Sequence, residues 1–152
     1  MLRSTLIHPE MLASIGRAGH GSKILVTDGN FPASTTLGPN ARLVHLNLAP
    51  GLLGATQVLE VLASAIFIEK VELMEPLREG PLAMAGEPPI WGEFREVLRA
   101  AGVSSDPELL ERRDFYRAAG QPEVALVVQT GEQRIYANVL LTIGVVEKGS
   151  GI

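Results

Sequence analysis

Gly19-His20-Gly21-Ser22-Lys23-Ile24-Leu25-Val26-Thr27-Asp28-Gly29-Asn30-Phe31-Pro32 is the stretch that decides the fold class. Ile24-Leu25-Val26 is an unbroken apolar run between Lys23 and Thr27, the mark of a strand buried on both faces. Asp28 to Pro32 then breaks into a loop, because neither Gly nor Pro readily continues a strand. Upstream, Pro9 opens a helix at a position where its missing N–H costs nothing. Met11, Ile15 and Ala18 recur at i, i+4 and i+7 with Leu12 beside them, a helical stripe that Gly19 and Gly21 end.

The alternation of helix and strand continues downstream. Arg42 to Leu48 predicts a strand, with Val44, Leu46 and Leu48 on one face and Leu43, His45 and Asn47 on the other. Ala49-Pro50-Gly51 is a turn. Ala55, Val58, Leu59, Leu62 and Ile66 predict a second helix, and Lys70 to Met74 a strand. Pro76 to Pro89 carries four prolines and two glycines and reads as a long loop, either functional or disordered. Trp91, Phe94, Leu98 and Ala101 form a third helical stripe, capped by Gly102. Pro107 to Ala119 reads as one further helix. Val124 to Val128 is a strand, Thr130-Gly131-Glu132 a turn, and Arg134 to Thr142 a last strand that pairs back as a hairpin. Helices alternating with strands make an α/β layer fold, and the hairpin makes its sheet mixed. Residues 1–147 form one domain, and Lys148 to Ile152 is a flexible tail.

Composition narrows the function. At 152 residues the chain suits a single domain with its own core. The absence of cysteine excludes a disulfide scaffold, a thiolate zinc site, an iron–sulfur cluster and a cysteine nucleophile. The net charge is −4 and there is no basic block, which argues against a nucleic-acid partner. Val58 to Ile68, the longest apolar stretch, is interrupted by Glu60 and Ser64 and is too short to span a membrane. The first residues lack the apolar core of a signal peptide, so the expected location is the cytoplasm. One Trp, two Tyr and four Phe leave a core of Leu, Val, Ile and Ala, with apolar surface to spare for subunit contacts.

Few residues have the chemistry of a site. His8 and His45 read as surface or packing residues. His20 sits between two glycines that leave its imidazole uncrowded. An ordinary histidine pKa of ~6.5 suits a general acid or base, although a cation there also suits the end of the preceding helix. Asp28 follows the buried strand, where ligands gather in α/β sheets; it serves either a ligand or an Asx-turn with Gly29 and Asn30. Tyr136 and Asn138, read on one strand, share a face about ~6.6 Å apart. They offer donors and acceptors to a polyhydroxyl ligand, or form the solvent side of an edge strand. Arg112, Arg113 and Tyr116 share a helical turn, with one arginine free to face a ligand and the other water. Trp91 is either core or a surface on which a sugar stacks. Gly16-x-x-Gly19-x-Gly21 precedes its strand and is no dinucleotide fingerprint, and neither a phosphate-cradling loop nor a G-x-S-x-G elbow is present.

Taken in order, six stretches resemble the ribose pyranase and fucose mutarotase family (RbsD/FucU). They are Gly19-His20-Gly21 with Asp28-x-Asn30-Phe31-Pro32-Ala33-Ser34, Pro89-Ile90-Trp91, Glu111-Arg112-Arg113-Asp114-Phe115-Tyr116, Thr130-Gly131-Glu132 and Tyr136-Ala137-Asn138-Val139-Leu140-Leu141. The resemblance implies a three-layer α/β/α fold and a ring-shaped homo-oligomer, typically a decamer, with sites near subunit contacts. It implies interconversion of the cyclic forms of a free monosaccharide with no metal or cofactor. By position, His20 corresponds to the catalytic acid/base and Asp28, Arg112, Tyr136, Ala137 and Asn138 to sugar-binding residues, with Tyr116, Asn30 and Trp91 as further candidates. Asn30-Phe31-Pro32 and the Trp91 segment are similar to the fucose branch, whereas Ala137 is more typical of the ribose branch.

Overall fold

The first helix, α1 (Pro9–Arg17), begins at the proline, and the His8 imidazole caps it by accepting the Met11 N–H at 3.4 Å. A computed structural model of the chain describes residues 2–146, so the tail expected over 148–152 lies outside the described residues. The apolar run forms β1 (Lys23–Thr27), whose Ile24, Leu25 and Val26 are all fully buried. Burial on both faces needs a strand on each side and a layer above and below. The sheet places β1 third, in the order β2 (Arg42–His45), β5 (Val124–Gln129), β1, β6 (Val139–Ile143), β3 (Ile68–Met74), β4 (Glu108–Leu110). β1 is parallel to β5 and antiparallel to β6; β2 is parallel to β5; β3 is antiparallel to β6 and parallel to β4. Only β6 opposes the common direction.

Side-chain alternation divides the core in two. On one face α1, α2 (Ala55–Ala63) and α3 (Ile90–Ala100) pack Met11, Leu59, Leu62, Trp91 and Phe94 against Ile24, Val26, Val128, Val139 and Leu141. On the other, α4 (Arg112–Ala119) and a short turn at Ala33–Thr35 pack Phe115, Ala119 and Ala33 against Leu25, Val127, Leu140 and Met74. This is the expected three-layer α/β/α arrangement with a mixed sheet. Truncating a fully buried ring such as Phe94 to Ala costs about 3–5 kcal/mol. Gly102 ends α3 as its position in the sequence requires: its φ is +84°, its N–H meets the Arg99 carbonyl at 3.1 Å and the Val103 N–H meets Leu98 at 2.9 Å.

Five expectations need correction. The strand expected over Arg42 to Leu48 stops at His45, because its partner β5 ends at Gln129 and offers nothing beyond; Leu48 is 84% exposed. The helix expected to reach Ile66 ends at Ala63. The helix expected from Pro107 begins only at Arg112, because Glu108–Leu110 pairs with the otherwise open edge of β3. The hairpin is absent: β1 lies between β5 and β6. The connection crosses over the end of β1, where the Thr130 hydroxyl and the Glu132 carbonyl bond to Thr27 and Gly29. Gly131 makes this crossing possible, because a Cβ there would stand 2.3 Å from the Leu52 carbonyl and 2.6 Å from that of Ala49. Arg134 to Tyr136 is accordingly a turn, and the strand begins at Val139.

Candidate active site

Where β1 ends, Asp28 turns back into the fold and is 3% exposed. Its Oδ1 accepts the Asn30 N–H at 2.8 Å, so the Asx-turn reading holds. Its Oδ2 accepts from Asn138 Nδ2 at 3.0 Å, and its own N–H donates to Asn138 Oδ1 at 3.0 Å. Burial pushes the Asp28 carboxyl above its ordinary pKa, against the pull of N–H donors from Asn30, Asn138, Phe31 and Ala137. Ala137 thus acts through its backbone, while its methyl is buried in the core behind.

Asp28 and Asn138 line an open cavity of about 120 Å³ together with Asn30, Phe31, Met74, Leu82, Arg112, Tyr116, Ile135 and Tyr136. Arg112, the first residue of α4, lies 5.6 Å over the Tyr116 ring, and Tyr116 packs on Phe31 at 5.4 Å. Arg113 faces outward and is exposed. The lining is therefore mixed: a carboxylate, an amide and a guanidinium share it with the apolar Phe31, Met74 and Leu82. Asp28 keeps acceptor capacity beyond its two bonds, and Asn138 keeps one N–H.

Tyr136 reaches the site by an unexpected route. It is not on a strand but at a turn with φ +61°, and it is almost fully buried. The reading of Tyr136 and Asn138 as the solvent face of an edge strand is overturned, since β6 is interior and both residues are buried. The Tyr136 hydroxyl accepts the Leu77 N–H at 3.1 Å and donates to the Leu82 carbonyl at 2.8 Å. The proline-rich loop is thereby fastened over the cavity, and it closes on itself through the Met84 N–H to Leu77 bond at 2.9 Å.

Two candidates lie elsewhere. Trp91 is 2% exposed in the core on the far side of the sheet, so its ring has no face to offer a sugar; its Nε1 donates to the Tyr136 carbonyl at 3.0 Å. His20 is exposed, and its Nε2 meets Glu69 Oε2 at 3.0 Å rather than capping α1. It precedes β1 whereas Asp28 follows it, and five strand residues extend about ~16 Å. A single chain does not bring His20 to the cavity. Reading the sequence missed Met74, Leu82 and Ile135, which carry no polar signal, and the Glu132–Arg134 pair behind the site. Arg134 donates to Glu132 through Nε and Nη2, both at 2.9 Å, and to Glu93 on α3 at 2.5 Å. This guanidinium holds the Glu132 carboxyl down at about 2.

The RbsD / FucU transport protein family matches residues 1–146. The fucose mutarotase of Homo sapiens is 35% identical over 143 residues, spanning 92% of this chain and 90% of that one. The D-ribose pyranase of Pseudomonas entomophila is 28% identical over 146 residues, spanning 95% of this chain and 98% of that one. The crystal structure of FucU from Bifidobacterium longum superposes with a TM-score of 0.76 at 30% identity, covering 93% of this chain and 96% of that one.

Proposed function

This chain belongs to the RbsD/FucU family, and from that premise we propose that it is a mutarotase exchanging the cyclic forms of L-fucose or a closely related sugar. The observation that carries the reading is the mixed lining of the cavity: Asp28, Asn138 and Arg112 offer partners for hydroxyls, and Phe31, Met74 and Leu82 offer apolar surface for a group such as the methyl of a 6-deoxy sugar. The human relative, a fucose mutarotase, supports the same branch.

Anomer exchange opens and recloses a hemiacetal. A base takes the proton of the anomeric hydroxyl, the C1–O5 bond breaks as its electron pair goes to O5, and an acid protonates O5. The aldehyde rotates about C1–C2, and the reverse steps close the ring on its other face. One positioned proton-transfer group supplies roughly 10²–10⁴-fold. The open-chain barrier is low enough that no covalent intermediate is required.

His20 is the proposed acid/base, supplied to the cavity by a second copy of the chain. Its exposure and its remoteness from Asp28 support that arrangement. So do Phe67, Val145 and Val146, large apolar residues exposed near it: the Gly144 N–H bonds to the Phe67 carbonyl, and Gly144 packs on Glu69. A ring of copies, a decamer by family resemblance, repeats the contact without leaving a site incomplete.

Saturation-transfer NMR on L-fucose and D-ribose tests the reading. The protein accelerates α/β exchange of L-fucose, and His20→Ala returns it to the uncatalysed rate with an unchanged circular dichroism spectrum. Preferential pyranose–furanose exchange of D-ribose would instead select a ribose pyranase, the reading that the Pseudomonas entomophila relative and Ala137 favour. Sugar binding without faster exchange would leave only a sugar-binding protein.

A further inference from the structure

Tyr136 stands at φ +61°, a region L side chains rarely enter without support. Its side chain faces the cavity and its hydroxyl fastens Leu77 and Leu82. Its carbonyl points the other way, into the core, where the Trp91 indole N–H meets it at 3.0 Å. Trp91 lies in the first turn of α3, packed with Leu59, Phe94 and Ile90, and does not line the cavity. The Trp91 indole and the cavity wall are thus joined through one residue whose backbone is strained and whose hydroxyl is committed.

We propose that Trp91 is a positioning residue for the sugar site: its indole N–H holds the Tyr136 turn left-handed, and so sets the cavity wall and the seat of the loop over it. The inference rests on the sugar-binding reading given above. Its physical basis is the cost of an unpaired buried carbonyl. Water does not reach this one, so a Tyr136 carbonyl deprived of its donor regains a partner only if the turn rotates. Rotation carries the phenol away from Leu77 and Leu82. A plain core filler at position 91 would have no such effect on the site.

The experiment compares Trp91→Phe, which keeps an aromatic ring but lacks the donor, with Phe94→Leu. Phe94 is as deeply buried one turn along α3 and makes no bond to the site. Trp91→Phe raises KM for L-fucose about tenfold while kcat changes less than about threefold, the equivalent of one lost hydrogen bond in binding. Phe94→Leu leaves KM within about twofold. Trp91 is also the sole tryptophan, so its indole N–H gives one resonance in the wild-type protein. Saturating L-fucose shifts that resonance although the ring does not touch the cavity.

Equal KM changes in the two variants, or none, overturn the proposal, as does an indole resonance that stays fixed when sugar binds. Should Trp91→Phe not fold, the wild-type resonance decides alone. A wild-type protein that binds neither L-fucose nor D-ribose sinks the sugar reading and this inference together. Sugar bound with a static indole sinks only the inference.

Discussion

Asp28 and Asn138 hold each other at both ends: the Asp28 N–H donates to Asn138 Oδ1 at 3.0 Å, and Asn138 Nδ2 donates to Asp28 Oδ2 at 3.0 Å. They lie 110 residues apart in the chain, on two adjacent strands' ends, and the pair joins the exit of β1 to the entry of β6. One amide therefore fixes both the backbone and the carboxylate of the residue proposed to meet a sugar hydroxyl.

Asn138→Ala tests this pairing. Burial already raises the Asp28 pKa, and the Asn138 N–H is among the donors that oppose the rise. Removing that donor lifts the pKa further, which carboxyl-detected NMR titration follows directly. For an acid whose folded pKa is raised, the protonated form favours folding, so its contribution to stability falls as pH climbs from 3.8 through the folded value. The variant extends that loss to higher pH. It also leaves the Asp28 N–H unpaired in the interior, at a cost of about 1–3 kcal/mol in urea unfolding. An unmoved Asp28 pKa would mean that the amide does not support the charge.

Glu132 carries the opposite sign. The Arg134 guanidinium holds its carboxyl at about 2, down from 4.5, so the stabilisation is complete above 4.5 and disappears as pH falls through about 2. Glu132→Gln loses about ~2 kcal/mol at pH 7, a figure reduced for water screening at the partly exposed Arg134. Urea midpoints of the two proteins converge between pH 4.5 and 2. A gap that persists at pH 2 would assign the effect to shape rather than charge.

The parts legible in the sequence were those that rest on burial and local breaking. Ile24-Leu25-Val26 announces a two-faced strand because three apolar residues in a row have no solvent side, and Gly102 announces a helix end because its neighbours require a left-handed residue. The Asp28, Arg112 and Asn138 cluster was approachable because carboxylate, guanidinium and amide are chemically conspicuous, and the family resemblance supplied their grouping. The failed strand readings share one cause, long-range pairing. Glu108–Leu110 becomes a strand only because the edge of β3 is free to receive it. Arg134 to Asn138 alternates like a strand, yet it must first pass over the end of β1 before β6 can start. Met74 and Leu82 line the cavity as ordinary apolar residues, which no local pattern separates from core. The cost of such pairings is set by where distant segments finish, and local periodicity does not contain it.

Tyr136→Phe isolates the fastening of the loop from the fold of the domain. The phenol ring stays, so its packing in the core formed with Leu140 and Phe115 is kept. Only the bonds to Leu77 and Leu82 are lost. Leu82 is half exposed and Leu77 is partly exposed, so water replaces much of what the hydroxyl supplied, and global stability falls by less than about 1 kcal/mol. The local effect is larger, because the loop's other anchors are few and mostly within itself. Arg78 is the sole trypsin target between residues 75 and 89 and lies exposed between the two fastened positions. Native-state trypsin cleavage after Arg78 follows the open population of the loop when closing outpaces cutting. Losing about one hydrogen bond's worth of closure raises that population, and with it the cleavage rate, roughly three- to tenfold. Saturation with L-fucose slows cleavage in the wild-type protein, because Leu82 forms part of the wall the sugar would press against. If Tyr136→Phe is cut at the wild-type rate, the loop is held by its own turns and the hydroxyl's role is confined to the ligand.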